Sequence, residues 1–169
     1  LKGVQNHGST HWTGIDPIVT AAQIVNNIQT IVSRSLPLTE AGAVVTIGSI
    51  HGGVRSNIIP ESLYMLGTIR TLDEAMKATV LRRLEEIVYN TAKANNAKAK
   101  ITYQVSYPIT YNDPGLYENM LPSLKRINGP ENVHFMNAIT GAEDFSFFQK
   151  EVPGLYFFIG GAQKGTDPK

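Results

Sequence analysis

The stretch GGVRSNIIPESLYMLGTIR, residues 52–70, constrains this chain more than any other. Its glycine pair suits a turn that needs positive φ or a close backbone approach, and Pro60 holds the residue before it in an extended conformation. From Leu63 to Arg70 the side chains alternate, with Leu63, Met65, Gly67 and Ile69 on one face and Tyr64, Leu66, Thr68 and Arg70 on the other. Neither face is strongly polar, which predicts a strand covered on both sides and an Arg70 largely removed from water. A guanidinium that loses water needs an anion, either a carboxylate of the protein or one of a ligand. Asn57, thirteen positions upstream, offers an amide that both donates and accepts. Two readings of these residues stand side by side: an Asx-type turn at Asn57 with Arg70 paired to a surface acid, or a joint grip on a bound carboxylate.

Before this stretch, residues 1–6 read as the tail of a strand and 7–15 as a small-residue loop. Asp16 is placed to cap a helix with Pro17 at its first position, and Ile18, Ala21, Ala22, Val25, Ile28 and Val32 supply an apolar stripe ending near Arg34. Ala43–Ile50 is a β-rich run. After the strand, Thr71 and Glu74 form a capping-box pattern for a second helix to about Ala94, closed by Asn95-Asn96. Lys98–Tyr107 alternates as a strand with one wet face. The order strand, helix, strand, strand, helix, strand is the split βαβ arrangement of ferredoxin-like domains.

Beyond Pro108 the pattern changes. Asn112-Asp113-Pro114 opens a helix to about Ile127, Gly129-Pro130 breaks it, Val133–Met136 has strand character, and Glu143–Lys150 reads as a short helix. The apolar run LYFFI, 155–159, has the character of a buried strand. These last sixty residues lack partners for a complete sheet, so the expected fold is an α+β, ferredoxin-like βαββαβ domain at 1–109 followed by an incomplete α/β segment at 110–169. A start at Leu1 and an end in a loop at 165–169 imply a piece of a longer protein, and unpartnered strands predict poor expression of the piece alone.

A net charge of +1, from 15 basic and 14 acidic residues, leaves no electrostatic footprint for nucleic acid or an anionic membrane. The chain has no cysteine, which excludes disulfides and thiolate zinc sites and fits a reducing cytoplasm. No apolar run approaches the roughly 18 residues of a membrane-spanning helix. The histidines, His7, His11, His51 and His134, show no helical zinc spacing. Glu85-Glu86 falls in a helix, where adjacent residues point apart. Glu143-Asp144 follows Thr140-Gly141-Ala142 at a loop-to-helix junction, where acids favour the helix start.

Three segments, HGSTHWTGIDPIVTAAQIVNNIQTIVSR, VVTIGSIHGGVRSNIIPESLYMLGTIRTLD and TGAEDFSFFQKEVPGLYFFIG, resemble the M20 metallopeptidases, in the branch of N-acyl-amino-acid amidohydrolases that includes hippurate and indoleacetyl-amino-acid hydrolases. The likeness covers nearly the whole chain in order. It implies a lid domain that dimerises, at 1–109, inserted into a catalytic domain that carries two divalent metals (zinc, manganese, cobalt or nickel) and hydrolyses an N-acyl amino acid or small peptide. By resemblance, His7 reaches the partner subunit's active site and stabilises the oxyanion, Asn57 and Arg70 bind the carboxylate side of the substrate, and Glu143 borders the pocket. The sequence departs from the family at Gln5-Asn6, where two glycines are usual, and at His11-Trp12, where Pro-His is usual. The family's metal-ligand segments have no counterpart in this sequence, so no residue here is assigned to metal. The rival reading is a non-catalytic ferredoxin-like module that dimerises or binds a small molecule.

Overall fold

The computed structural model describes residues 1–104, 107–163 and 165. The chain divides into two compact units, Leu1–Val105 with Ala138–Gly141, and Ser106–Asn137 with Ala142–Lys169. The first unit is mixed α/β. Its elements are β1 (Asn6–His7), a 3-10 turn at Gly8–Thr13, α1 (Pro17–Ser35), β2 (Ala43–Gly52), β3 (Ile58–Ile59), β4 (Leu63–Thr71) and α2 (Glu74–Ala94).

Helix α1 begins where the sequence predicts. The Asp16 carboxylate accepts the backbone N–H groups of Ile18 (2.7 Å) and Val19 (3.2 Å), with Pro17 just inside the helix. Its buried stripe is centred on Thr20, Ala21, Ile24, Ile28 and Ile31, while Ile18 and Ala22 face solvent. The expected stripe was therefore rotated around the helix, because alanines and terminal isoleucines fit either phase of a 3.6-residue period.

Helix α2 is capped by Asp73, whose carboxylate accepts the N–H of Met76 at 2.7 Å. Thr71 is not the cap; it is the last residue of β4, paired with Ala43. The β2 ladder claims Thr71 for β4, which leaves the cap to Asp73, whose carboxylate satisfies an orphan amide of the first turn and also suits the helix dipole. Asn95-Asn96 ends the helix as expected, with Asn96 in the left-handed region at φ 56°.

Strands β2 and β4 form an antiparallel ladder from Ala43↔Thr71 to Gly52↔Leu63, with a bulge between Ile47 and Ser49. Gly67 is required there, since a Cβ would sit 2.4 Å from the carbonyl oxygen of Thr46. Helices α1 and α2 pack together on the inner face of this ribbon, where Ile24, Ile28, Ile31, Val45, Val80 and Val88 form the core.

The outer face is open. Tyr64 and Leu66 are 56% and 59% exposed, so within this unit the strand is covered on one side only, contrary to the expectation of cover on both. Apolar residues on both faces record what a strand is built to meet, and only the helix side is met here.

Along the edge of β3 and the start of β4, the first residues of the chain run antiparallel: Lys2 bridges Ser62, and Gly3 N–H donates to Glu61 (2.8 Å). On its other side Lys2 exchanges hydrogen bonds with Lys98 (2.7 and 2.8 Å). The strand expected at Lys98–Tyr107 is reduced to this bridge and chain without regular structure to residue 104, and residues 105 and 106 lie outside the described residues. Tyr103 ties that chain to α2 by donating to Glu85 (3.2 Å); desolvation, then the Glu85 charge, push its hydroxyl up to about 12.

The second unit holds α3 (Pro114–Asn128), capped by Asp113 and ended at Gly129 with φ 84°, and α4 (Phe145–Glu151). Neither Val133–Met136 nor LYFFI forms a strand, and Phe158 and Ile159 are exposed. An apolar run becomes a strand only where another strand accepts its ladder, and among the described residues none does. Apart from Gly165, the loop expected at 165–169 lies outside the described residues.

Ile28 is fully buried between the helices and the ribbon. Ile28→Ala should therefore cost about 2–5 kcal/mol of unfolding free energy, read from the midpoint of chemical denaturation at unchanged slope.

Candidate functional site

The loop at Gly52–Asn57 returns the chain from β2 to β3. Gly53 adopts φ 87°, the positive φ that the glycine pair led us to expect. The loop is fastened to the opposite strand by its backbone, because Gly8 N–H donates to the Asn57 carbonyl at 2.8 Å and His7 pairs with Ile58 in the β1–β3 ladder. An open groove of about 390 Å³ lies against this loop, lined by Gly8, Asp16, Ile18, Arg55 and Asn57 among others.

This pairing places two side chains together that lie fifty residues apart in sequence. His7 Nε2 lies 3.3 Å from the Asn57 side-chain amide nitrogen, Nδ2, and both groups face solvent. The other ring nitrogen, Nδ1, accepts the backbone N–H of Ser9 at 3.1 Å and lies 2.7 Å from Ser9 Oγ. His7 thus caps the 3-10 turn that follows it, and its ring is held from both sides. Sequence reasoning found His7 and Asn57 but not Ser9. The signal was present in the local spacing, since a residue two positions after a capping side chain supplies an orphan amide.

Arg70 stands elsewhere. It pairs with Val44 at the far end of the β2–β4 ladder, whereas Gly52↔Leu63 closes the end nearest the loop. Seven residues of strand from Leu63 to Arg70 span roughly 23 Å at about 3.3 Å per residue. The structure therefore does not bring Arg70 to Asn57 within one chain, and a small carboxylate cannot be held by both. Arg70 is half-buried, and among the described residues no acid pairs with it. The alternative of a surface ion pair at Arg70 is accordingly not realised among the described residues.

Glu143 belongs to the second unit and precedes α4. Its backbone carbonyl accepts the Ser146 hydroxyl at 2.6 Å and the Ser146 N–H at 3.2 Å. The Tyr156 hydroxyl is raised above its ordinary range, first by desolvation and then by its hydrogen bond to Glu143 and the charges of Glu143 and Asp144. The Glu143 side chain is half-buried.

Among the described residues no three of His, Asp and Glu converge on a point that could hold a metal ion. A two-metal centre needs several carboxylate and imidazole ligands around ions about 3.5–4 Å apart, and the donors described here do not fit one.

The profile of the peptidase dimerisation domain of M20 enzymes matches residues 1–96. The chain belongs to the M20 peptidase dimerisation-domain family. It is 35% identical over 160 residues to an N-acetyldiaminopimelate deacetylase of Bacillus velezensis, covering 95% of this chain and 42% of that protein. It is also 35% identical over 161 residues to thermostable carboxypeptidase 2 of Saccharolobus solfataricus, covering 95% of this chain and 40% of the relative. The crystal structure of Bacillus subtilis YXEP, described as a dinuclear metal-binding peptidase of the M20 family, superposes with a TM-score of 0.66 at 26% identity, over 90% of this chain and 37% of that one. The chain spans about two fifths of the length of the curated relatives it matches. Matching relatives are M20-type hydrolases, and among the described residues no helix is long and apolar enough to cross a membrane.

Two glycines of this M20 domain, Gly53 of the loop and Gly48 of β2, separate by backbone demand. Gly53→Ala forces a side chain into the left-handed region and should destabilise by about 1–2 kcal/mol. At the β2 bulge, Gly48 has open space around it and no positive φ, so Gly48→Ala should leave stability within about 1 kcal/mol or raise it. Thermal unfolding of the two variants side by side checks the difference.

Proposed function

We propose that residues 1–109 form the lid and dimerisation domain of a two-metal amidohydrolase, in ferredoxin-like order, and that 110–169 form a segment of its catalytic domain. The enzyme that contains this chain then hydrolyses the amide bond of an N-acyl amino acid, with the metal pair held outside the residues described here. The observation that carries the reading is the split of the candidate residues between the two ends of the β2–β4 ribbon: a braced His7–Asn57 pair at one end and, at the other, an Arg70 with no acid paired to it among the described residues.

Each end suits one part of such a substrate. A guanidinium makes short, charge-assisted, forked contacts with a carboxylate, which fits Arg70 to the amino-acid carboxyl group. A fixed imidazole N–H fits an oxyanion developing on the scissile carbonyl. One small substrate spans neither roughly 23 Å nor the further length of the loop, so the two ends meet only if a second copy of the lid contributes one of them. In a two-fold homodimer each site then takes Arg70 from one chain and His7 from the other. Asn57 acts with His7, not with Arg70, because it touches the imidazole.

Subunit mixing in the enzyme that contains this chain separates this arrangement from a one-chain site. His7→Ala and Arg70→Ala enzymes should each be nearly inactive towards an N-acyl amino acid. Mixed and allowed to exchange subunits, they should recover about a quarter of wild-type activity, because half the dimers are mixed and each mixed dimer has one intact site. Asn57→Ala should behave like His7→Ala: it recovers activity with Arg70→Ala and none with His7→Ala. Proven exchange without recovery in the first mixture contradicts the reading.

A further inference from the structure

We propose that the backbone N–H of Ser9 sets the tautomer of His7, making Ser9 a positioning residue for a neutral imidazole that donates from Nε2. The two ring nitrogens of an uncharged histidine differ, since one carries the proton and the other a lone pair. A backbone N–H cannot reverse its direction. The Ser9 amide points its hydrogen at Nδ1 at 3.1 Å, so Nδ1 must present its lone pair, and the proton resides on Nε2. The Ser9 hydroxyl, 2.7 Å from the same nitrogen, rotates freely and adds its own hydrogen to that lone pair.

The consequence reaches Asn57. In the structure its amide nitrogen, Nδ2, is the end that stands 3.3 Å from Nε2. Two N–H groups do not bond to each other, so a protonated Nε2 selects the oxygen end of the amide, and the two ends of an Asn amide exchange by a simple flip. Asn57 then accepts from Nε2–H at rest and steers that proton towards the groove. In this state His7 donates a hydrogen bond without carrying a charge, and its donor faces away from the 3-10 turn that fixes it. The functional meaning rests on the oxyanion role proposed above, but the tautomer is a property of this chain and is measurable without turnover.

Long-range proton–nitrogen correlation spectra of the full chain, recorded about 2 pH units above the ordinary histidine pKa of about 6.5, read the state of each ring nitrogen. His7 is assigned by the signals lost in His7→Gln. The wild type should show a bare Nδ1 and a protonated Nε2. Ser9→Ala keeps the backbone donor and should keep that pattern. Ser9→Pro removes the donor, at a position in the first turn where proline is tolerated, and should shift His7 to an averaged mixture of tautomers. His51, stacked on Tyr64 with ring centroids 4.7 Å apart, reports whether a variant is folded through its ring-current shift. Where Ser9→Pro does not fold, the wild type and Ser9→Ala decide between them. A wild-type His7 protonated at Nδ1 or averaged, a changed pattern in Ser9→Ala, or an unchanged pattern in folded Ser9→Pro overturns the proposal. In the enzyme, Ser9→Pro should lower kcat with KM held. The tautomer shift without a kcat loss would instead refute the oxyanion role of His7 and leave the positioning by Ser9 intact.

Discussion

Two hydrogen-bonded strands, β2 and β4, set the distance on which every functional argument about this chain depends. Their ladder is anchored at one end by Gly52↔Leu63 and at the other by Ala43↔Thr71, and the close approach at Gly67 leaves no room for a side chain. The core residues of α1 and α2 pack on the inner face and fix the pleat, since a slip of one residue would turn Val45 and Ile69 outward. A ladder held in this way cannot bend enough to bring Arg70 to the loop at Gly52–Asn57. The separation of the candidate residues is therefore a property of the fold and not of side-chain choice.

Much of this was legible in the sequence where a residue has one dominant physical role. Asp16-Pro17 starts α1, Asn95-Asn96 stops α2, Asp113-Pro114 starts α3, and the glycine pair makes a positive-φ turn. What failed shares a cause: the outcome depended on partners distant in sequence. The stripe of α1 was drawn through Ile18 and Ala22 instead of Ile24 and Ile31, because periodicity does not say which of two adjacent phases meets the ribbon. LYFFI reads as a buried strand by composition, yet strand formation needs a second ladder that its own residues cannot supply. The cap of α2 moved from Thr71 to Asp73 because β4 claims Thr71.

The candidate site was legible by residue and not by arrangement. His7, Asn57 and Arg70 could each be singled out, and the family likeness offered them roles, but grouping Asn57 with Arg70 followed their closeness in sequence. Backbone pairing of β1 with β3 groups Asn57 with His7 across fifty residues instead. The small signal of Ser9, two positions after His7, lies in the local spacing and gains a meaning only with the geometry of the ring's second nitrogen. Family membership adds a dimerisation domain to this picture, and a two-fold axis is what a fold with its candidate residues at opposite ends of one ribbon requires if those residues are to meet.

A crystal structure of the enzyme that contains this chain, with a bound N-acyl amino acid analogue, tests that requirement most directly. The account predicts that the ligand carboxylate contacts Arg70 of one chain while the His7 and Asn57 nearest the scissile carbonyl come from the other. A ligand touched by Arg70, His7 and Asn57 of a single chain would contradict it.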